Sequence, residues 1–578
     1  MKMKAAQVVC ECLLEQGVDT VFGYPGGTIL NIYDALYGYE GKIRHILTAH
    51  EQGASHAADG YARSTGKVGV CFATSGPGAT NLTTGIATAY YDSSPVIFLT
   101  VNVPEPLIGK DTFQEVDITG ITMPITKANL LVRDAASLAD TLRTAFAIAR
   151  SGRPGPVLID ILKNVTAEEV DYKFLPLSEH VNHGRLKEMM DIASHDLTSR
   201  EREPDQEDVD KLLEMIEHAQ KPVVLCGGGV IRSEGAVPEF RKFFQTLNTP
   251  VISTMMGGGA CPGNHPLFAG MVGMHGTHAA NIAVSRCDLL IAVGCRFSDR
   301  VALSPRHFAP NAKIVHIDID RAEIDKNVLT DHHIIGDARR VLEMLNEKLT
   351  AHDYPEWKEY VFSNKEVELQ PIPGKLLPKE VLDSITRLTD GDAIMATDVG
   401  QHQMWVAQYF HFNRPGQLIT SGGFGTMGFG LGAAMGAKIG NPGKVVVHAT
   451  GDGSFRMNCN ELATVQHYGL PIITVLFNNQ TLGMVRQWQT LMYDKHYSQT
   501  TLDRGPDFVK LAEAYDIDGY RVSNIGDFEA AFQKALSLSL IHIYGDPFSP
   551  QRSSKRPPVS GQKPDPGCPA PTGPATHS

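Results

Sequence analysis

Two short polar motifs, each placed directly after an apolar strand, could hold a metal ion beside a phosphate group. Gly451-Asp452-Gly453 follows a β-branched run that starts at 445–447, and Asn478-Asn479 follows the apolar run 472–477. A helix between two such runs makes a right-handed crossover, so both strands end at the same edge of one parallel sheet. A carboxylate and an amide oxygen suit a hard cation that keeps phosphate oxygens as further ligands, as Mg²⁺ does. The spacing therefore predicts that Asp452 and Asn479 converge on a cation.

The glycines of the first motif point to the phosphate itself. They let backbone N–H groups approach a diphosphate closely, and the N-terminus of the following helix favours negative charge. An isolated Gly-Asp-Gly is most often only a turn, but the Asn-Asn pair at the end of the next strand favours the binding interpretation. Together the two motifs resemble the binding motif of thiamine-diphosphate (ThDP) enzymes.

Length and composition limit the class of protein. A chain of 578 residues is too long for one core and predicts three or four domains. The net charge of -12, with no clustered basic face, argues against nucleic acid as the main partner. Nine scattered cysteines without a CxxC pair argue against a disulfide framework and a structural zinc site, and they indicate a reducing cytoplasm.

The N-terminus predicts a helix and not a targeting signal. Glu11, Glu15 and Gln16 interrupt its apolar run, while Ala5 and Leu13 belong to a set with helical spacing. No apolar run approaches the roughly 20 residues that a membrane span needs. We therefore expect no membrane association.

The rhythm of strands and helices predicts an α/β fold of three doubly wound parallel-sheet domains. The expected division is a first domain at 1–170, a linker at 171–205, a central domain at 206–345, a Pro-rich linker at 346–378, a third domain at 379–537 and a tail at 538–578. Nine of the 34 prolines lie in the last 34 residues, a composition that cannot bury a core. Disorder is the prediction for this tail.

Two further features have both a functional and a purely structural interpretation. Glu51 follows a strand and opens a helix, where a carboxylate is stabilised by the helix dipole whatever its function. Gly227-Gly228-Gly229 follows a strand of the central domain, and Asp318 ends a later one, as in nucleotide sites where an acidic residue holds a ribose. These glycines could instead merely permit tight packing of helix on sheet.

A set of collinear motifs identifies a family resemblance over residues 1 to about 536. The motifs, in order, are HEQGA, SGPGATN, RPGPVLIDI, GMHG, RFSDR, GQHQMW, GTMG, GDGSF and FNNQTLGMVRQWQ. Together they resemble the acetolactate synthase (acetohydroxyacid synthase) large subunits, and RFSDR and GMVRQWQ separate that family from other ThDP enzymes. The resemblance implies an enzyme that decarboxylates pyruvate on ThDP and transfers the hydroxyethyl carbanion to pyruvate or 2-ketobutyrate. This is the first common step of branched-chain amino acid biosynthesis.

The resemblance also implies which residues bind ThDP and Mg²⁺. Glu51 would share a proton with the aminopyrimidine N1′, Met427 would hold the cofactor bent, and the Gly425 carbonyl would accept a hydrogen bond from N4′. Thr481, through its main-chain carbonyl, would join Asp452 and Asn479 around the metal. The remaining ThDP-binding residues implied are Pro25, Gly26, Gly27, Val399, Gly400, Gln401, His402, Gly453, Ser454 and Met484.

Substrate and flavin residues follow in the same way. Gln114 and Lys163 would line the substrate channel, Arg300 would grip the acceptor carboxylate, and Trp488 would contact the extra methyl group of 2-ketobutyrate. The central domain would bind FAD that has no redox role. Its implied binding residues are Arg153, Gly227, Gly228, His275, Arg296, Asp318 and Asp337.

The resemblance implies a homodimer or homotetramer with the site between two subunits, and it allows a regulatory small subunit. Beyond residue 536 the family's closing strand and C-terminal lid are replaced by the Pro-rich tail, which suggests foreign or frameshifted sequence and a third domain that lacks a strand. One alternative is thus a catalytically impaired homologue that still binds the cofactor. Others are a flavin-containing ThDP enzyme such as a pyruvate oxidase, a glyoxylate carboligase, and an FAD-free acetolactate-forming enzyme.

Overall fold

Three six-stranded parallel sheets follow one another along the chain. The structure is a computed structural model, and it describes residues 1–176, 203–365, 375–537 and 541–545. Each sheet is buried on both faces, because alternate residues of its strands belong to different apolar clusters. Strands covered on both faces read as continuous apolar runs, which is the pattern seen here. Among the described residues, no helix is both long and apolar enough to cross a bilayer.

The first domain contains one large sheet and a small antiparallel pair. Its strands are β1 (Lys2–Lys4), β2 (Thr20–Gly23), β3 (Arg44–Leu47), β4 (Gly69–Thr74), β5 (Val96–Asn102), β6 (Ala128–Val132), β7 (Val157–Leu162) and β8 (Glu169–Asp171). Its helices are α1 (Ala5–Glu15), α2 (Leu30–Tyr37), α3 (Glu51–Thr65), α4 (Pro77–Thr80), α5 (Thr83–Tyr91), α6 (Ile118–Thr122), α7 (Leu138–Arg150) and α8 (Lys163–Ala167). The large sheet has the order β3-β2-β4-β5-β7-β6, and β1 pairs with β8.

The central domain repeats this architecture. Its strands are β9 (Pro222–Cys226), β10 (Val251–Ser253), β11 (Phe268–Met271), β12 (Leu289–Val293), β13 (Lys313–Asp318) and β14 (His332–Ile335), in the order β11-β10-β9-β12-β13-β14. Its helices are α9 (Gln206–His218), α10 (Gly228–Arg232), α11 (Ala236–Leu247), α12 (His278–Arg286), α13 (Ala338–Lys348) and α14 (Pro355–Ser363).

The third domain is built in the same way. Its strands are β15 (Ile394–Thr397), β16 (Leu418–Thr420), β17 (Val446–Gly451), β18 (Ile472–Phe477), β19 (Asp518–Val522) and β20 (Ile541–Gly545), in the order β16-β15-β17-β18-β20-β19. Its helices are α15 (Pro378–Leu388), α16 (Gln401–Tyr409), α17 (Phe429–Gly440), α18 (Asp452–Phe455), α19 (Leu462–His467), α20 (Gly483–Met492), α21 (Phe508–Glu513) and α22 (Ile525–Ser537).

In each sheet the chain first adds strands on one side of its first strand and then crosses to the other side of that strand. The crossing points lie between β2 and β4, between β9 and β12, and between β15 and β17. At such a point two successive crossovers leave in opposite directions, which opens a crevice at the carboxyl ends of the strands. All three sheets therefore place their glycine-rich turns beside a crevice that can take a ligand.

The first and third domains share a core through two closely packed helices, α3 and α17. A Cβ atom at Gly60 would lie 2.2 Å from the carbonyl oxygen of Ala433, and one at Gly436 would lie 1.8 Å from the carbonyl oxygen of Ala57. Contact at these distances is possible only without a side chain at the glycine positions. The two helix backbones therefore touch directly and hold the domains together.

The predicted α/β class and the parallel sheets are confirmed, and the differences concern single elements. The sequence did not predict the edge strands β6, β11, β14, β16 and β19, which pair on one side only. Part of the predicted second linker forms α14, whose Trp357 is buried against the central sheet. Residues 177–202 of the first predicted linker and 366–374 of the second lie outside the described residues.

The expectation of a missing last strand is wrong. Strand β20 lies within the predicted tail, yet its backbone pairs in parallel with β18 on one side and with β19 on the other. The third sheet thus has a strand where the family resemblance predicted that the closing strand is absent. The rest of the predicted tail, 538–540 and 546–578, lies outside the described residues.

We expect Gly436→Ala to destabilise the chain although it improves helix propensity. In an open helix this change stabilises by about 1 kcal/mol, whereas overpacking costs about 1–3 kcal/mol. Differential scanning fluorimetry should show a lower melting temperature for Gly436→Ala. Gly443→Ala is the matched control, because nothing lies within 4 Å of its Cβ position. A melting temperature raised by Gly436→Ala would contradict the close contact of α3 with α17.

Candidate active site

The predicted metal ligands lie side by side at the edge of the third sheet. Strands β17 and β18 run parallel in register, with Gly451 opposite Phe477. Asp452 and Asn479 follow within two residues of these ends. Asp452 is buried, its Oδ2 has no hydrogen-bond partner among the described residues, and burial raises the pKa of its carboxyl to about 6. A buried carboxylate oxygen without a partner fits a divalent cation, which would stabilise its charged form.

Asn479 is held in place by two neighbours. Its Nδ2 donates to Oε1 of Gln401 at 3.2 Å, and its Oδ1 accepts from the backbone N–H of Thr481 at 3.1 Å. The amide oxygen has a second lone pair available. The predicted metal ligands Asp452, Asn479 and Thr481 therefore lie in one local group with Gln401.

The turn after β15 packs against the Gly-Asp-Gly motif through a buried histidine. A Cβ at Gly400 would lie 2.8 Å from the His402 ring, and one at Gly451 would lie 2.8 Å from its Nδ1. Burial lowers the pKa of His402 to about 4, so the ring is neutral at pH 7. Its Nε2 is buried without a described partner, which fits a role in hydrogen bonding a ligand.

Asp398, which the sequence analysis did not predict as a site residue, anchors this turn. Its carboxylate accepts from the backbone N–H of Gly430 at 2.8 Å, from Thr450 Oγ1 at 2.6 Å and from the His448 ring at 3.1 Å. Burial alone would raise the pKa of Asp398, but the hydrogen bonds and the charge of His448 hold it well below its usual range. One side chain thus ties together the ends of β15 and β17 and the start of α17.

The loop before α17 brings Met427 to the same place. Gly428 donates its backbone N–H to Ser454 Oγ at 3.0 Å, and the Met427 Cε atom lies 3.9 Å from the Cβ position of Gly453. Gly425 has φ +71°, a conformation that favours glycine. The loop predicted to bend the cofactor therefore touches the motif predicted to bind its diphosphate.

A cavity of about 770 Å³ lies between the three domains. Its size is in the usual range for small-molecule and cofactor sites. Most of the residues predicted to bind FAD line it, namely Arg153, Gly228, His275, Arg296, Asp318 and Asp337. Gly227 does not line the cavity. A Cβ atom at Gly227 would lie 1.9 Å from the carbonyl oxygen of Gly294, so this glycine permits close packing between two turns. Arginines for a diphosphate and carboxylates at strand and helix ends fit a dinucleotide.

The same cavity reaches the residues predicted to select substrate. Its wall includes Val399, Gly400, Gly425 and Met427 and also Arg300, Met484, Val485 and Trp488. The Arg300 side chain is 60% exposed, and Trp488 is 39% exposed on α20, which buries none of its residues. The guanidinium and the indole are therefore available to a ligand.

A second group of predicted residues forms a separate half-site on the first sheet. Pro25, Gly26, Gly27, Glu51, Gln114 and Lys163 do not line the cavity. Glu51 is buried at the N-terminus of α3 and accepts from Asn81 Nδ2 at 2.9 Å, while Lys163 Nζ donates to the carbonyl of Gly27 at 3.1 Å. Asn81 was not among the predicted site residues, although it ends the SGPGATN motif.

The surroundings of this half-site are open and apolar. Gln114 has φ +62°, and its Cα lies 2.9 Å from the Cβ position of Gly76. Nearby in sequence, Tyr24, Leu47 and Phe113 are 41%, 42% and 87% exposed. Large apolar side chains exposed at a protein surface are typical of a region that another molecule covers.

A buried carboxylate of the third domain holds the entry of α3. Glu461 accepts from the backbone N–H groups of Ala49 and His50 at 3.1 and 3.0 Å, immediately before Glu51. Burial raises the pKa of Glu461. No local sequence signal identifies this contact, because more than 400 residues separate its partners.

Three protein-family models match the chain in order. The N-terminal TPP binding domain of thiamine pyrophosphate enzymes matches residues 3–121, the central domain matches 209–345, and the C-terminal TPP binding domain matches 398–543. The last match extends into β20. Each match falls on one of the three sheets; the first ends before β6, and the last begins directly after β15.

Curated relatives match over nearly their whole length. The chain is 46% identical over 560 residues to the probable acetolactate synthase large subunit of Methanocaldococcus jannaschii, covering 94% of this chain and 92% of the relative. It is 44% identical over 551 residues to the acetolactate synthase isozyme 2 large subunit of Escherichia coli, covering 94% and 95%. It is 46% identical over 523 residues to the acetolactate synthase large subunit of Lactococcus lactis, covering 90% and 88%.

We expect Asp452→Asn to remove the response of the protein to Mg²⁺. Loss of the carboxylate charge should abolish the rise in melting temperature that Mg²⁺ and ThDP together produce, and EDTA should have the same effect on the native chain. Asp516→Asn is the control, because Asp516 is exposed and far along the chain from the motif. An unchanged Mg²⁺ response in Asp452→Asn would exclude Asp452 as a ligand.

Proposed function

This chain belongs to the acetolactate synthase large-subunit family of thiamine-diphosphate enzymes, and from that membership we propose that it forms acetolactate or 2-aceto-2-hydroxybutyrate from 2-keto acids. Pyruvate would lose carbon dioxide, and the remaining two-carbon unit would join a second 2-keto acid. The observation that carries the proposal is one cavity that contains the Met427 loop, the Gly400 turn and the Arg300 and Trp488 side chains.

Bound ThDP supplies the electron sink for the pair released when carbon dioxide leaves. The role of Glu51 is to hold a proton at the pyrimidine N1′, and the hydrogen bond from Asn81 fixes its carboxylate for that task. Met427 and Gly425 would hold the cofactor in place. Asp452, Asn479 and the carbonyl of Thr481 would hold Mg²⁺, and His402 would lie beside the diphosphate.

The acceptor keto acid is bound at the exposed end of the cavity. Arg300 offers the planar, bidentate donor set that suits a carboxylate. Trp488, beside Met484 and Val485, offers apolar contact to the extra methyl group of 2-ketobutyrate, which can favour that acceptor by about 1–3 kcal/mol. Gln114 and Lys163 line the substrate path from the first sheet.

We propose FAD as a resident of the central part of the cavity with a structural role, since the net reaction transfers no electrons. Arg153, Arg296 and Asp318 are the strongest candidates for contact. A regulatory small subunit is the partner that the name of the relatives, large subunit, suggests. The cytoplasmic location stays a prediction.

A homodimer is the proposed minimum assembly. Glu51 does not line the cavity that contains Met427, and we infer that a second copy brings its Glu51 to the cofactor. The exposed apolar side chains near Glu51 support this arrangement. A tetramer would contain the same pairing twice.

One assay tests the reaction and its alternatives. We expect pyruvate-dependent acetolactate formation that is lost when ThDP or Mg²⁺ is omitted and that declines when FAD is omitted. Flavin bleaching by anaerobic pyruvate at the rate of turnover would instead indicate a pyruvate oxidase. Binding of ThDP without release of carbon dioxide would identify a catalytically impaired homologue.

Mixed dimers test whether the site is shared. Glu51→Gln and Asp452→Asn chains should each be inactive, but coexpressed chains should recover about a quarter of native activity, because half of the dimers are mixed and each has one intact site. The mixture should stay inactive if both residues serve a site within one chain. Coexpression of each variant with itself is the control.

A further inference from the structure

The turn Asp92-Ser93, which directly follows α5, lies where all three domains meet. Both residues are buried, at 3% and 9% exposure, and both line the large cavity. The proposed reaction does not use them, and the predicted site does not include them. Their contacts nevertheless connect its two cofactor regions.

Asp92 holds the loop that leads to Met427. Its Oδ1 accepts from the backbone N–H of Gly423 at 2.7 Å, and its Oδ2 accepts from that of Gly422 at 3.0 Å. Thr88, on α5, makes a third hydrogen bond to the loop, of 2.7 Å, with the hydroxyl of Thr426. The first domain therefore fixes both ends of the loop segment just before Met427.

The carboxylate of Asp92 is itself held by a buried arginine. Arg63 donates to Asp92 at 3.0 Å, to both oxygens of Asp59 at 2.7 and 2.6 Å, and to the carbonyl of Thr420 at 2.7 Å. Charge-assisted hydrogen bonds of this kind are strong and directional. Asp92 thus has little freedom to move without moving the loop.

Ser93 faces the other region of the cavity. Its hydroxyl accepts from Arg153 Nε at 2.8 Å, and its carbonyl accepts from Arg232 Nε at 2.9 Å. Arg153 also bridges to Asp320 and Glu323 of the central domain. Both arginines line the part of the cavity proposed for the flavin, where an anionic ligand would contact or reorient them.

The backbone of the turn is under strain. Ser93 has φ +56°, a left-handed conformation that is strained for a residue other than glycine. Contacts on both sides must therefore hold it. A ligand that strengthens the arginine contacts stabilises the turn and, through Asp92, the loop.

We propose that the Asp92-Ser93 turn is a positioning element that couples occupancy of the arginine-lined cavity to the loop that carries Met427. The inference rests on the proposed function, because it takes FAD and ThDP as the two ligands. A flavin without a redox role then has a specific effect, because FAD tightens the binding of ThDP. By linkage, ThDP tightens the binding of FAD by the same factor.

The test measures the two dissociation constants in the full-length protein with saturating Mg²⁺. ThDP binding is titrated by calorimetry with and without FAD, and FAD binding by flavin fluorescence with and without ThDP. The native chain should show at least about a fivefold tightening in both directions. The coupling ratio is the dissociation constant of one cofactor without the other divided by its value with the other. In Asp92→Asn and Ser93→Ala this ratio should fall to near one.

Glu461→Gln is the matched control. Like Asp92, Glu461 is a buried carboxylate that accepts two backbone N–H groups across the interface of the first and third domains, but it does not line the cavity. Its variant should lower the melting temperature and keep the native ratio. Ser93→Ala decides the matter if Asp92→Asn fails to fold, because it removes only one hydroxyl.

The outcomes separate this inference from the proposed function. A native chain that binds both cofactors without coupling overturns the inference alone, as does a native ratio in Ser93→Ala. A native chain that does not bind ThDP overturns the proposed function and the inference with it. Loss of coupling in both turn variants but not in Glu461→Gln supports the role of the turn.

Discussion

The direct contact between the backbones of α3 and α17 is the constraint on which the active region depends. Helix α3 begins with Glu51, and α17 begins directly after the Met427 loop. Because Gly60 and Gly436 bring the backbones together, no side chain can shift to absorb an error in spacing. The position of each functional segment is therefore set by a contact between helices and not by the loops that carry the residues.

Around this contact the chain uses one architectural solution three times. In each sheet the chain crosses from one side of the first strand to the other, and glycine-rich turns lie at that crossing point. The polar residues differ: a carboxylate at the first sheet, arginines and carboxylates at the second, and an aspartate-asparagine pair at the third. Buried anchors such as Asp398 and Glu461 then fix the turns, since a buried carboxylate without donors would be costly.

The sequence was most informative where function and local pattern coincide. The strand, Gly-Asp-Gly, helix, strand and Asn-Asn order of the third domain follows from apolar runs and turn residues alone, and the structure has it. Edge strands such as β14 were not predicted, because a short HHII segment that pairs on one side has no distinctive hydrophobic period. Asp92 was not predicted, because its partners Gly422 and Gly423 lie about 330 residues further along the chain, and a local sequence pattern contains no information on such contacts. The family resemblance led to a missing strand, whereas the Ile541–Gly545 backbone occupies that position.

The sequence distance between α3 and α17 also matters for how the chain is made. A ribosome adds about 5–20 residues per second, so the small-residue face of α3 waits on the order of tens of seconds before α17 leaves the exit tunnel. During that time the first domain presents an apolar stripe that its own sheet does not cover. Nascent chains on one message are close neighbours, and such a stripe can meet its counterpart on another chain. The same glycines that make the finished contact close thus make synthesis the period of greatest risk for misassembly.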